Sequence, residues 1–396
     1  MQTYLRLPVA FERGDGAWLW DSEGRQYLDA LSGIAVCGLG HAHPGVTAAL
    51  QEQAGRLLHT SNVYRIPNQE RLGAALCGLA QMDTVFFCNS GAEANEAAIK
   101  LARLYGHQRG VQLPTIVTTQ GSFHGRTMAT LTATGNSKIQ QGFEPLVEGF
   151  RQVPYNDLAA IEALSNDPNI VAVLVEPVQG EGGVNAPADG YLAGLRAICD
   201  RNGWLLMVDE IQTGMGRTGR WFAHQHENIL PDVMTLAKGL GNGMPIGACL
   251  ARGEAAKTLG PGKHGTTFGG NPLACRVGLA VIDAIRQDNL VARAAELGAR
   301  LLNGFRRQLE GVAGVTDIRG KGLMLGIALD RPCGELVTRA LAEGLLINVT
   351  SERVIRLLPP LILSDEQADR IVDTVSSLVK DFLAETAAPT GGATAS

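Results

Sequence analysis

IVAVLVEP (170–177), GYLAGLRAICDRNG (190–203) and WLLMVDE (204–210) follow one another as an apolar run, an amphipathic stretch and a second apolar run. Both runs are short and continuous rather than alternating, which is how strands buried on both faces read. Moving outward, the same kind of run recurs in TVFFCN (84–89), TIVTT (115–119) and VMTLAK (233–238), with the helical stretch AEANEAAIKLARLY (92–105) behind the first. Strand–helix alternation predicts an α/β fold whose large domain holds a mostly parallel, doubly wound sheet. From about 281 the pattern changes. A long Ala/Leu/Arg helix (about 281–310) leads to GLMLGIALD, VIRLLPPLIL and the helix SDEQADRIVDTVSSLVKDFLAE, which predicts a smaller α+β domain. The expected units are an N-terminal segment 1–48 joining the small domain, a large domain 49–280, a small domain 281–386 and a disordered tail 387–396. There is no internal repeat.

Composition excludes several classes. The 396 residues include 49 glycines, about 12% against a usual value of about 7%. There is no G-X-Y period, so the excess is not collagen. With 45% hydrophobic residues the chain is not a disordered Gly-rich linker. Nineteen of the 49 glycines lie between 180 and 270, eleven of them in QGEGG, TGMGRTG, KGLGNG and TFGGN. These loops are expected to wrap a ligand closely, so that Ala there would hurt binding more than folding. Net charge is -5, without basic runs, so no nucleic-acid partner is expected. No apolar run approaches the ~18 residues of a membrane span, and the start of the chain does not read as a signal peptide. Seven scattered cysteines without C-x-x-C predict reduced thiols in a cytoplasmic protein. The pairs His41/His43 and His224/His226 lack accompanying Cys or carboxylate ligands, so no metal site is expected.

Ligands of open α/β sheets bind outside the carboxyl ends of the strands. Here those ends carry Asn89-Ser90-Gly91, Glu176, Asp209-Glu210 and Lys238. A buried strand-end lysine has a lowered pKa and forms Schiff bases; the plain alternative is a lysine that snorkels to water. Asp209 suits a protonated pyridine nitrogen, or else a structural ion pair. It is not a Walker-B acid, because no G-x-x-x-x-G-K-[ST] occurs. Gly214-Met-Gly216-Arg-Thr-Gly219 matches G-x-G-x-x-G, yet neither a following helix nor the acid about 20 residues on is present. Ser90 and Glu93 form a capping-box pattern whose helix N-terminus could hold a phosphate. In GSFHGRT (121–127), Phe123 could stack on a planar ring and Arg126 could fork onto a carboxylate. Thr266 and Thr267 in HGTTFGGNP (264–272) could donate to a phosphate; a plain loop reads equally well. Schiff-base lysine, pyridinium partner, phosphate cradle, stacking aromatic and carboxylate clamp together are what pyridoxal 5′-phosphate (PLP) needs.

Over about residues 5–385 the sequence resembles the class-III PLP-dependent aminotransferases of fold type I. NSGAEANEAAIKLAR, FHGRT, EPVQGEGG, VDEIQTGMGRTG, TLAKGLGNGMPIGA and HGTTFGGNPLAC carry the resemblance. SGIAVCGLGHAHP and TSNVYRIPNQERLG resemble the branch that transfers the δ-amino group of N2-acetylornithine to 2-oxoglutarate, a step of arginine biosynthesis. Enzymes for free ornithine typically carry Tyr where Ile34 stands, and an apolar Ile34 suits an acylated amine. Carried over residue by residue, the resemblance implies Lys238 as the Schiff-base lysine and Asp209 as the ring-nitrogen partner. It implies Gln212 at the ring oxygen, Phe123 on the ring face, and Gly91 and Ala92 at the phosphate. Glu210 and Ile211 are expected at the cofactor as well. Thr267 would reach the phosphate of the other subunit, with Thr266 near the substrate, which implies a homodimer with shared sites. Arg126 would bind the substrate carboxylate, and Glu181 with Arg356 would form a pair that opens for glutamate. The family often has Thr where Ala92 stands. Succinylornithine, succinyldiaminopimelate, ornithine and 4-aminobutyrate are the rival substrates. A non-catalytic PLP-fold binding protein is the remote rival.

Overall fold

The computed structural model describes residues 1–387. Strands β1 (Phe11–Asp15), β2 (Trp18–Asp21) and β3 (Gln26–Asp29) open the chain. The central sheet is built from β4 (Thr84–Cys88), β5 (Thr115–Thr119), β6 (Phe150–Val153), β7 (Ile170–Val175), β8 (Leu205–Asp209), β9 (Val233–Leu236) and β10 (Gly247–Ala251). Its order is β4-β10-β9-β8-β7-β5-β6. β6, β5, β7, β8 and β9 pair in parallel, and only β10 runs antiparallel to its neighbours β4 and β9.

Every residue of β7, β8, β9 and β10 is buried. The reason is visible in β8. Leu206 and Val208 enter the core on one face, while Leu205 and Met207 enter a second core on the other. Helices cover both faces, so no polar alternation survives in the sequence. Two strands of this sheet escaped the sequence reading. FRQV of β6 is an edge strand of four residues, half polar, and GACLA of β10 is short and rich in small residues.

The long helix expected over 281–310 is two helices, Pro272–Gln287 and Leu290–Gln308. The break falls at Asn289, whose φ is 50°, a left-handed conformation that Asn tolerates and that ends a helix. The expected division at 280/281 therefore falls inside the helix Pro272–Gln287.

Beyond it, β11 (Val315–Lys321), β12 (Met324–Leu329), β14 (Asn348–Thr350) and β15 (Val354–Leu357) make an antiparallel sheet in the order β11-β12-β15-β14. The two-residue β13 (Leu345–Leu346) pairs with β3, tying the N-terminal strands to the C-terminal part of the chain. The helix Asp365–Ala387 closes the described chain. Apart from Ala387, the expected tail 387–396 lies outside the described residues.

Candidate active site

The parallel strands deliver their carboxyl ends to one rim, and a cavity of about 400 Å³ opens there. Asn89, Gly91 and Ala92 reach it after β4, Phe123 and Arg126 after β5, and Glu176 after β7. Asp209, Ile211 and Gln212 follow β8, and Lys238 follows β9. Sheet topology thus converges residues up to about 150 positions apart, as the strand-end rule requires.

At the floor, the Asp209 side chain is held on Oδ2 by Asn95 Nδ2 at 2.7 Å and His124 Nδ1 at 2.8 Å. The Ile211 N–H donates to Oδ1 at 3.1 Å, leaving that oxygen with capacity toward the cavity. Lys238 sits at φ 44°, a left-handed conformation uncommon for a side-chain-bearing residue, and opens a tight turn, Lys238–Leu240. The protein wall around its amine pushes its pKa below the ordinary lysine range. Arg356 pushes the same way, while Glu181, Asp209 and Glu176 oppose.

On one wall the helix Gly91–Gln108 points its N-terminus at the cavity. Ser90 Oγ accepts from Glu93 N at 3.2 Å, half of the expected capping box. The other half reaches one residue further back: Glu93 Oε2 accepts from Asn89 N at 2.5 Å and Asn89 Nδ2 at 2.9 Å. The N–H groups of Gly91 and Ala92, at the first turn, have no intrahelical acceptor and face the cavity. Gly91 is glycine for a packing reason, since a Cβ there would lie 2.8 Å from the Ile211 side chain. Opposite, Phe123 presents its ring with the exposed Arg126 guanidinium 5.6 Å above it.

At the mouth, Arg356 from β15 is fully buried and donates through Nη1 to Glu181 Oε1 at 2.6 Å and through Nε to Asn348 Oδ1 at 3.0 Å. Its Nη2 is buried without a partner, and Arg356 meets the cavity through Glu181 rather than lining it itself.

The class-III aminotransferase family matches residues 2–379 of the chain. The chain belongs to the class-III aminotransferases. It is 59% identical to the acetylornithine aminotransferase of Nitrosomonas europaea, over 97% of this chain and 98% of that protein. Its fold is similar to that of the ornithine aminotransferase of Toxoplasma gondii ME49, with a TM-score of 0.94 and 35% identity, covering 97% of this chain and 93% of that one. The N-acetylornithine aminotransferase of Stenotrophomonas maltophilia K279a aligns with a TM-score of 0.84 and 38% identity, covering 97% and 99%.

In this class-III aminotransferase Glu210 and Ile34 lie away from the cavity, as does Thr266, while Thr267, expected at a second subunit's site, is off this chain's own. Glu210 is buried on the far side of the strand end from Asp209. It accepts from His224 N and Ala223 N, each at 2.9 Å, and from His224 Nδ1 at 3.0 Å. Alternation along the strand explains it: adjacent residues point to opposite faces. Ile34 packs beside Val178, Val184, Met324 and Leu358, while Val36 takes the place at the cavity wall. Thr266 Oγ1 accepts from Gly269 N at 3.2 Å and Thr267 is exposed; neither lines this chain's own cavity.

Asn95 and His124 are functional neighbours that sequence reasoning missed. His124 stood in FHGRT without a role. Asn95 offered only a polar residue on the buried face of an otherwise Ala-rich helix. The glycine expectation also needs correction. A Cβ on Gly241 would collide with Met244 O, one on Gly269 with Phe87 O, and one on Gly219 would lie 2.9 Å from Ala295 Cβ. At these three positions the backbone packs against protein, so Ala there damages the fold first, whereas Gly180 faces the cavity-lining Gln212 side chain and Gly243 has open space beside it. The seven cysteines are unpaired. Among the described residues no His, Cys, Asp and Glu cluster is placed to hold a metal ion, and no helix is long and apolar enough to cross a membrane.

Proposed function

We propose that the chain transfers the δ-amino group of N2-acetylornithine to 2-oxoglutarate with PLP as cofactor, giving N-acetylglutamate 5-semialdehyde and glutamate. The observation that carries the reading is the Lys238 amine enclosed in the same cavity as the Asp209 carboxylate, with the Arg356–Glu181 pair at the mouth. The donor set suits PLP. Gly91 and Ala92 N–H groups at a helix N-terminus would hold the phosphate. Asp209 Oδ1 would hold the ring nitrogen, Phe123 would face the ring, and Lys238 would hold the carbonyl carbon. Gln212 Oε1, buried without a partner, marks a polar group awaiting a ligand. When bound, the cofactor supplies a carbonyl that condenses with amines and an electron-accepting ring.

The chain's own residues do the rest. Lys238 Nζ, whose pKa burial lowers, would move a proton between the substrate δ-carbon and the carbonyl carbon of the cofactor. Asp209, fixed by Asn95 and His124, keeps a proton on the ring nitrogen. Arg126 at the mouth meets the substrate α-carboxylate with its fork. With acetylornithine bound, Glu181 stays on Arg356; with glutamate, Glu181 swings away and Arg356 takes the second carboxylate through Nη1 and the free Nη2. The apolar wall of Val36, Ile211, Met244 and Ile246 would suit an acylated amine better than a free α-ammonium group. Thr267, exposed on its own chain, would reach the phosphate of a second subunit in a cytoplasmic homodimer.

The test is a panel of amine donors with 2-oxoglutarate, ranked by kcat/KM. N2-acetylornithine should lead ornithine by at least about 100-fold, the cost of burying an unpaired charge at the apolar wall. Ornithine or 4-aminobutyrate leading the panel would overturn the substrate reading, and a lead by succinylornithine or succinyldiaminopimelate would move it to the larger acyl group.

A further inference from the structure

Glu176 is 5% exposed, lines the cavity, and spends its carboxyl hydrogen bonds on backbone N–H groups rather than on Lys238 or Asp209. Its carboxyl joins two loops. Oε2 accepts from Phe123 N at 3.0 Å, on the loop that covers the ring face. Oε1 accepts from Gly180 N at 3.2 Å, on the turn that leads to Glu181. A parallel tie runs from Gln179 Nε2 to Gln120 O at 2.8 Å, so the two loops already lie side by side. What Glu176 adds is an acceptor for both backbone donors from one side chain.

We propose that Glu176 is a positioning residue whose ionised carboxyl couples the ring-covering loop at Phe123 to the gate turn at Glu181, and whose protonation releases one of the two. The proposal rests on the cofactor reading of the cavity. The chemistry follows from donor and acceptor counts. A carboxylate accepts on both oxygens, whereas a carboxylic acid turns one oxygen into an O–H donor that cannot receive an N–H. The released loop then carries a buried, unpaired N–H.

Burial raises the Glu176 pKa to about 7; Asp209 pushes the same way, while His124 and the two backbone N–H groups oppose. The remaining groups facing it are Lys238 from the end of β9 and the Tyr155 phenol, with Glu181 and Arg356 beyond Lys238. The switch between two anchors and one therefore falls at neutral pH. Above it, Glu176 ties ring cover to gate; below it that tie is lost and the Gln179–Gln120 hydrogen bond remains.

The deciding measurement is hydrogen exchange of the unmodified chain between pH 6 and 8, read on peptides covering 121–127 and 178–184 and corrected for intrinsic base catalysis. Protection at one or both segments should rise roughly three- to tenfold with pH, the range expected for one hydrogen bond. In Glu176→Gln, whose amide has one acceptor oxygen, the rise should vanish. Flat protection in the unmodified chain, or the same rise in the variant, overturns the proposal. PLP titrated into the cofactor-free chain and followed by fluorescence quenching gives a second readout. The ratio of the two proteins' dissociation constants should change several-fold between pH 6 and 8. A constant ratio overturns the coupling to the ring. Failure of PLP to bind either protein at any pH overturns instead the cofactor reading, and the exchange data then judge the loop coupling alone.

Discussion

Asp209 and Glu210 are neighbours in the chain, both buried, and each pairs with a histidine Nδ1, at 2.8 Å and 3.0 Å. One belongs to the cavity and the other to the scaffold. Asp209 has two donors on Oδ2 and a single backbone donor on Oδ1, so it retains capacity on the cavity side. Glu210 is saturated by Thr213 Oγ1, Ala223 N, His224 N and His224 Nδ1. Burial would raise the Glu210 pKa, yet His224 and these hydrogen bonds hold it below the usual value. A buried carboxylate–histidine pair is therefore not in itself a sign of catalysis. The spare acceptor, facing a cavity, is what separates site from scaffold.

Four experiments sharpen or break this contrast. Lys238→Ala, on the cavity side, should lower turnover by at least about 10⁴-fold and remove the visible absorption of the bound cofactor, with little change in melting temperature. Residual turnover near the native rate would take Lys238 out of the chemistry. Asp209→Asn should cost about 10²- to 10⁴-fold in kcat, measured at saturating cofactor, because a neutral amide no longer favours the ring proton. Glu210→Gln should show the opposite profile. It should lose about 2–4 kcal/mol of stability in urea unfolding while each folded molecule keeps kcat within a few-fold, because a saturated acceptor is replaced by an amide that places a donor against donors. If Glu210→Gln damages kcat as much as Asp209→Asn does, the contrast fails.

The smallest effect expected is a pH dependence of opposite sign at two carboxyls. Glu210 is depressed, so its contribution is present above the ordinary pKa of 4.5 and is lost as pH falls through its lower folded value. Glu176 is raised to about 7, so its ionisation costs stability as pH rises from about 4.5 and the cost is complete a little above 7. Relative to the unmodified chain, Glu176→Gln should gain up to about 3 kcal/mol of unfolding free energy between pH 5 and 7.5. Parallel stability curves for the two proteins would place Glu176 in a water-like environment.

Much of the site was legible for a definite reason. Continuous apolar runs ended in Asn89, Asp209 and Lys238, and parallel strands bring such ends to one rim. Glu181 and Arg356, 175 positions apart, were carried by resemblance rather than by pattern, and they lie 2.6 Å apart. Asn95 was not legible, because a single polar residue on a buried helix face gives no sign of which strand end it meets. Ile34 was placed by resemblance to a Tyr position rather than by pattern, and its segment leaves regular helix geometry, with φ of 63° at Gly33 and 67° at Ile34. The β10 strand was missed because small residues carry little β signal on their own.

The sequence by itself determined the layered α/β architecture, the rim at which ligands bind and the chemical types gathered there, since burial and strand–helix alternation are local patterns that the chain order preserves. Only the tertiary structure decided which of two adjacent acids faces the cavity. It also decided that Val36 rather than Ile34 lines the wall, and that Gly241 and Gly269 approach protein backbone. Each of these depends on which surfaces meet after folding. A residue's neighbours across the sheet are set by packing geometry between segments far apart in the chain, and no local pattern encodes that geometry.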